Sequence, residues 1–143
     1  MESKTITFGK VSGQSSPYGV LTVTETATDA INNTSTVSIT LTLKRPHTYT
    51  STAQKNAWVT VDGTKYTWKG TIVGGGPSDR VLIQKTQVIT HEEDGTKTID
   101  LAAFIEIKIQ WSTGYINTIS GSGTMKLTDL PLTQDDALRR RLN

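Results

Sequence analysis

The chain has 143 residues, a formal net charge of +2 and no cysteine. This length is that of one ordinary domain, and the lack of thiols excludes a disulfide framework and a zinc–thiolate site. The small charge gives no case for a nucleic-acid partner, and the one dense basic run, at 139–141, is too short to provide one. No apolar stretch reaches the ~20 residues of a membrane helix and the N-terminus lacks a signal-peptide core, so we expect a soluble protein with no membrane partner.

Serine and threonine together make up about a quarter of the residues, well above ordinary usage. Threonine is branched at Cβ and favours the pleated backbone, while its hydroxyl tolerates water on an outer face. The composition therefore predicts a chain rich in strands.

The first third of the chain predicts three strands. Short alternating segments at 5–8 and 20–27 are accompanied by turn-forming residues at 15–19 and 29–33. The next segment has a clear period of two, in which aliphatic residues alternate with Ser, Thr and Lys and would share one buried face. Its aliphatic residues are Val37, Ile39, Leu41 and Leu43.

The middle of the chain predicts a hairpin followed by a loop. Asp62-Gly63 separates two alternating segments, and the pair suits the positive φ angles of a type I′ turn. On the second strand Tyr66 and Trp68 share one face, which we expect to pack in the core. Three glycines and a proline at 74–77 predict a loop.

A strand is predicted at 81–90, and two long strands are predicted after a turn at 91–96. The second of them, near 115–127, carries Gly121 and Gly123 on its core side, which leaves room for a bulge or a closely packed neighbour. The first has alternating apolar residues that would form one face of a half-buried strand. They are Leu101, Ala103, Ile105, Ile107 and Ile109.

These patterns predict an all-β fold of seven to eight strands. Because no βαβ rhythm is present, we expect a two-sheet antiparallel sandwich, immunoglobulin-like or jelly-roll in topology, rather than a closed barrel. After Pro131, Thr133 is a suitable N-cap and charges of the right sign follow for a short helix. We therefore expect a β-sandwich domain over 1–132 and a short helical or frayed tail over 133–143.

Residues suited to acid, base or nucleophilic chemistry are few. His91 and the acidic residues at 92–94 match no established calcium or zinc loop. A hydrolase would need a pair of carboxylates in one cleft, and Glu25, Asp100 and Glu106 cannot be shown from the sequence to meet. We expect no catalytic residue, no metal, no cofactor and no enzymatic activity.

Aromatic side chains would suit a carbohydrate partner, because sugars stack on flat rings while hydroxyl and amide groups bind their hydroxyls. Most rings are better assigned to the core. Trp111 and Tyr115 flank a predicted turn at one end of the sandwich, and with Tyr49 they are the candidate contacts for a glycan or a protein partner.

Four turn and strand segments carry a family resemblance. They read Thr-Tyr-Thr-Ser at 48–51, Val-Thr-Val-Asp-Gly and Tyr-Thr-Trp-Lys-Gly within 59–70, His-Glu-Glu-Asp-Gly-Thr-Lys-Thr-Ile at 91–99, and Ser-Gly-Ser-Gly-Thr-Met-Lys-Leu at 120–127. Together they resemble the β-rich modules of minor structural and tail-fibre proteins of siphophages that infect Gram-positive bacteria. Glu-Glu stands where that family usually has Asn-Ala, and the tail departs from the usual exit.

The resemblance implies a virion protein of the tail or baseplate, assembled in the host cytoplasm, as a small separate protein or a domain of a longer one. Other virion proteins and further copies of itself are the implied partners, with a host surface glycan as a further candidate. The first hypothesis is a structural or host-attachment component without enzymatic activity. The alternative is a carbohydrate-binding module that recognises host cell-wall polysaccharide.

Overall fold

The computed structural model describes residues 1–10, 17–45, 51–72, 78–111 and 114–131. These residues form eight strands: β1 (Ser3–Phe8), β2 (Tyr18–Asp29), β3 (Thr34–Arg45), β4 (Ser51–Val61), β5 (Thr64–Ile72), β6 (Ser78–Thr90), β7 (Thr98–Trp111) and β8 (Gly114–Lys126).

The strands form two four-stranded antiparallel sheets that pack face to face. Sheet A has the order β1-β2-β3-β6, and sheet B has the order β5-β4-β7-β8. The predicted all-β sandwich of seven to eight strands is therefore confirmed. No helix occurs in the described ranges, and the predicted helix at 133–143 and the glycine loop at 74–77 lie outside them.

Alternate residues of both sheets fill the space between them. The aliphatic residues predicted for the core of β3 are fully buried, as are those of β7 up to Ile107, and burying one such side chain is worth about 1.5–3 kcal/mol. The side chain of Ile109 lies outside the described residues. Tyr66 and Trp68 are partly buried and pack against this core, as their shared parity predicts.

Three predicted turns are confirmed, and one of them has an unexpected role. The turn at 29–33 joins β2 to β3. Asp62 and Gly63 have φ angles of 49° and 82° and join β4 to β5, as a type I′ hairpin requires. The turn at 91–96 joins β6 of sheet A to β7 of sheet B, so it crosses between the sheets.

The turn predicted at 15–19 is wrong at its second half. Tyr18 and Gly19 are the first residues of β2, while residues 15 and 16 lie outside the described part of the chain. Gly19 pairs with Phe8 of β1, and a side chain at position 19 would overlap the Phe8 ring. The glycine therefore permits close packing of a ring and does not mark a turn.

Gly121 and Gly123 serve the role that their parity predicts, since a neighbouring strand packs closely against them. A Cβ at Gly121 would come within 2.7 Å of the Phe8 Cβ, and one at Gly123 within 3.1 Å of the Ile6 Cδ1. Both neighbours belong to β1, the edge strand of the opposite sheet. The glycines therefore let β1 close one side of the sandwich against β8.

Candidate functional site

The three aromatic residues predicted as contacts are only partly placed by the structure. Tyr49 lies outside the described residues. The backbone of Trp111 pairs with Gly114 and that of Tyr115 with Gln110, so both flank the β7–β8 hairpin as predicted. Their side chains lie outside the described part, and their role as contacts stays a prediction.

The three carboxylates considered for hydrolysis do not converge. Glu25 is buried on β2 of sheet A, whereas Asp100 and Glu106 lie on β7 of sheet B. Glu106 accepts hydrogen bonds from the backbone N and the Nδ2 of Asn56, at 2.7 and 2.6 Å. Each carboxylate therefore has its own surroundings, and the three form no paired acid and base.

Glu25 belongs to a buried polar cluster that includes Ser35 and His91. Their exposed fractions are 2%, 1% and 5%. The Ser35 hydroxyl donates to Glu25 Oε2 at 2.9 Å and lies 2.7 Å from His91 Nε2. Serine therefore lies between the carboxylate and the imidazole, whereas in a nucleophilic triad the imidazole lies between the serine and the carboxylate.

The other nitrogen of His91 fixes the turn at 91–96. Nδ1 lies 2.8 Å from the carbonyl oxygen of Gly95, and because a carbonyl can only accept, Nδ1 is the donor. The same carbonyl accepts from the backbone N of Leu130 at 3.0 Å. Asn33 Nδ2 donates to the carbonyls of His91 and Glu92, at 3.1 and 2.8 Å. This histidine thus ties the crossing turn to sheet A and to the segment after β8.

Glu25 binds both flanks of the sandwich through its other oxygen. Oε1 accepts from the backbone N of Glu2 at 2.9 Å and from the backbone N and Oγ1 of Thr128 at 3.0 and 2.7 Å. Burial raises the pKa of Glu25, but the hydrogen bonds from Thr128, Glu2 and Ser35 outweigh burial and hold the pKa below its ordinary value of 4.5. Glu25 is therefore ionised at neutral pH. Its hydrogen bonds hold Glu2 and Thr128 against β2, and we call this contact the clamp at Glu25.

The turn at 91–96 has no cluster of side chains suited to binding a metal ion. The His91 ring faces inward with both nitrogens engaged, while Asp94 accepts hydrogen bonds from the backbone N and Oγ1 of Thr96. Glu92 lies 3.5 Å from the Lys97 ammonium. Within the described ranges, no three His, Asp or Glu side chains cluster as metal ligands would.

Lys55 on β4 is a further buried ionisable group. Its side chain is fully buried. Burial lowers its pKa, the nearby charge of Lys108 lowers it further, and Glu106 opposes both effects. The ammonium form of Lys55 is therefore less favourable in the folded protein than in water.

The outer face of sheet B carries an aromatic pair. Trp58 of β4 lies directly opposite Phe104 of β7, and their rings stack with centroids 5.6 Å apart and an interplanar angle of 10°. The Lys65 ammonium lies 5.0 Å from the centroid of the Trp58 ring. Both rings are only half-buried, so this pair stands on the surface.

A shallow depression of about 440 Å³ lies beside the two rings. Its volume falls in the range of small-ligand sites, about 300–1,000 Å³. The depression forms because the small residues of β7 and β8 extend less far from the sheet than the two rings. Its lining consists of Trp58, Phe104, Ala102, Ala103, Ser120, Gly121 and Ser122.

The outer face of sheet A has a different chemistry. Its central row consists of Thr5, Thr22, Thr40 and Gln84, one from each strand. The neighbouring rows are again mostly Ser and Thr, and no residue of these rows is charged. The further residues are Ser3, Thr7, Val20, Thr24, Ala27, Thr36, Ser38, Thr42, Val81, Thr86 and Val88.

Residues 11–136 match the model of a family described as "Siphovirus protein of unknown function (DUF859)". The chain belongs to this family. It is therefore a bacteriophage protein, as the sequence resemblance implied. No curated protein and no solved structure matches it. Within the described residues of this siphovirus protein, no helix has the length and apolar character needed to span a membrane.

The contacts predicted for the siphovirus protein were Tyr49, Trp111 and Tyr115, and the pairing of Trp58 with Phe104 was missed. One signal for it was present, because Phe104 is the large aromatic residue on the outward parity of β7, whose inward parity forms the core. Trp58 lies 46 positions earlier on β4, and nothing in the local pattern of either strand shows that the two strands pair.

Proposed function

We propose that the siphovirus protein is a non-enzymatic component of the phage particle, part of the tail or baseplate, that acts by assembly and host attachment. Family membership supports the phage setting. The buried Ser35 supports the absence of hydrolytic chemistry, because its hydroxyl is covered and lies between Glu25 and His91.

The observation that carries the proposal is the set of four uncharged rows on the outer face of sheet A, which suits a second copy of this chain. Threonine, serine and valine lose little rotamer entropy when they are immobilised, whereas the charged side chains of ordinary surfaces lose much more. Valines lie among the hydroxyls, and Val88 and Val81 are 64% and 53% exposed. The exposed valines therefore favour coverage by a partner, and the short side chains around them lose little conformational entropy when they are covered.

The size of this face is adequate for a specific interface. Strands about 4.8 Å apart and rows about 6.8 Å apart give four strands and four rows a footprint of about 500 Å². Two copies then cover about 1,000 Å² in total, at which specific interfaces begin. Because these four rows carry no charge, they can meet the same rows of a second copy about a two-fold axis without like-charge repulsion.

The test combines localisation with self-association. Immunogold labelling of purified particles is expected to place the protein on the tail, and analytical ultracentrifugation is expected to show concentration-dependent dimers. Thr40→Lys, in the central row of sheet A, is expected to abolish the dimers, whereas the matched change Thr60→Lys on the outer face of sheet B leaves them intact. A protein that is monomeric at all concentrations and absent from particles contradicts the proposal.

Carbohydrate binding is the second candidate function, and the stacked pair of Trp58 and Phe104 is the observation that favours it. Half-buried aromatic rings beside hydroxyl-bearing side chains provide the two kinds of contact that a sugar needs. The function is compatible with the first proposal, since a virion component that attaches to a host surface would use such a site.

A further inference from the structure

We propose that the depression beside Trp58 and Phe104 binds pyranose units of an anionic polysaccharide. This inference rests on the host-attachment part of the proposed function. It assigns a site, a ligand class and a charge preference to the outer face of sheet B.

The two rings provide an apolar wall for a sugar ring. The stacking of Phe104 on Trp58 fixes the orientation of both, so neither has to be ordered when a ligand binds. A pyranose presents one apolar face of C–H groups, which packs on an aromatic ring without leaving a polar group unpaired. A preformed aromatic wall therefore favours a ligand with a flat C–H face.

The floor of the depression provides the polar contacts. Ser120 pairs directly with Phe104, and Ser122 pairs with Ala102, so two hydroxyls lie in the rows that hold the ring and the small residue beside it. A serine hydroxyl both donates and accepts, as a sugar hydroxyl does. The depression thus combines an apolar wall with hydroxyl partners at the spacing of one strand, about 4.8 Å.

The charges around the depression favour an anionic ligand. Lys65 and Lys69 on β5 are exposed, and neither forms an ion pair with any part of the chain that the structure describes. Among the described residues, two acidic side chains share this face: Glu106, which is bound to Asn56 and lies 3.3 Å from the Lys108 ammonium, and Asp100, which is exposed on β7. The two lysines of β5 outnumber the exposed carboxylate of Asp100, so the excess charge is positive and attracts a phosphate or carboxylate substituent of a glycan.

The experiment uses the full chain and an array of bacterial polysaccharides that contains neutral, uronate-bearing and phosphate-bearing pyranose polymers. Saturable binding is expected among the anionic polymers, and the uronate and phosphate arms show which anion is preferred. The strongest binder is then titrated in solution by calorimetry and by tryptophan fluorescence. No saturable binding to an anionic polymer, or equal binding to neutral ones, overturns the inference.

Variants locate the binding. Phe104→Ala removes one wall, and Ala102→Phe fills the depression while it leaves both rings in place. Each is expected to weaken binding at least about tenfold. Tyr18→Ala is the matched control, because Tyr18 is a half-buried ring of sheet A with the Lys10 ammonium 5.1 Å from its centroid. Because an added ring suits an outward strand position, Ala102→Phe gives a folded test even if Phe104→Ala unfolds.

The charge preference has its own test. The double change Lys65→Met and Lys69→Met is expected to weaken binding of the anionic polymer about tenfold at low salt and to remove most of its salt dependence. If folded Ala102→Phe and the lysine variant both bind like the unchanged protein, the site is wrong. Immunogold labelling of particles is independent of these titrations, so a failed glycan site and a failed virion role are distinguished.

Discussion

The outer faces of the two sheets differ although the backbones beneath them are alike. The face of sheet A is uniform, with short side chains of Ser, Thr and Val and no charge in its central rows. The face of sheet B is uneven, because the large rings of Trp58 and Phe104 stand beside Ala102 and two serines, with lysines along β5.

This difference shows how a sandwich separates folding from recognition. In a strand, successive side chains point to opposite faces, so the inward residues build the core while the outward residues are free to vary. The same fold therefore presents uncharged rows of short side chains, which we propose to meet another copy of the protein, and an aromatic surface flanked by lysines, which we propose to bind a glycan.

The largest effects on stability are expected in the inner faces, because both sheets are fully buried there. Leu41 of sheet A and Ile105 of sheet B are fully buried. Leu41→Ala and Ile105→Ala are each expected to lower the free energy of unfolding by about 2–5 kcal/mol, as measured by urea denaturation. A loss below about 1 kcal/mol at either position would show that the two inner layers do not contribute equally.

The next effect distinguishes Glu25 from Glu106, two carboxylates that each accept more than one hydrogen bond. Glu25→Ala leaves the buried hydroxyl of Ser35 and the partly buried donors of Glu2 and Thr128 without an acceptor and is expected to cost about 1–3 kcal/mol. Glu106→Ala, on the more exposed face of sheet B, is the matched control and is expected to cost less than about 1 kcal/mol. Equal losses for the two variants would contradict the clamp.

The lowered pKa of Glu25 predicts that the free energy of unfolding depends on pH. Because its pKa is lower in the folded protein than its ordinary 4.5, its stabilising contribution is complete above that value and is lost as the pH falls through the folded pKa. Unfolding free energies of the unchanged protein are expected to fall between pH 7 and about pH 3, and to fall less in Glu25→Ala. Parallel curves would assign the acid sensitivity to other carboxylates.

A smaller effect is expected from the aromatic pair itself. A double-mutant cycle with Trp58→Ala and Phe104→Ala is expected to give a coupling energy of about 0.5–1.5 kcal/mol, since the rings stack across neighbouring strands. Thermal and urea unfolding measure this energy. A coupling near zero would mean that the rings are not held in place before a ligand binds.

The smallest effect is expected on the hydroxyl face of sheet A. Thr40→Val and Thr22→Val keep the shape of the side chain and its preference for strands, so the free energy of unfolding is expected to change by no more than about 0.5 kcal/mol. Urea unfolding of the two variants checks this. A larger loss would show that these hydroxyls stabilise the fold, and would weaken the view that their composition serves an interface.

Features set by neighbouring residues could be predicted from the sequence. The alternation in 37–43 and 101–107 predicted the buried faces of β3 and β7, and Asp62-Gly63 predicted the hairpin. These predictions succeed because the period of the strand and the φ angles of a turn depend on residues that are adjacent in the chain.

Features set by long-range pairing could not be predicted in this way. The hydrogen bond from Thr128 to Glu25 spans 103 positions, and that between Ser35 and His91 spans 56. An alternating pattern shows which face of a strand is buried but not which strand lies beside it. For the same reason Trp58 and Phe104 were not recognised as a pair.

The clamp at Glu25 has a consequence for how the sandwich connects to other polypeptide. The backbone nitrogens of Glu2 and Thr128 both lie within 3.0 Å of the same carboxylate oxygen. A chain that leaves the strands at residue 128 is thus back beside the point at which it entered at residue 2. A sandwich with this geometry can be inserted into a surface loop of another protein without pulling the two ends of that loop apart.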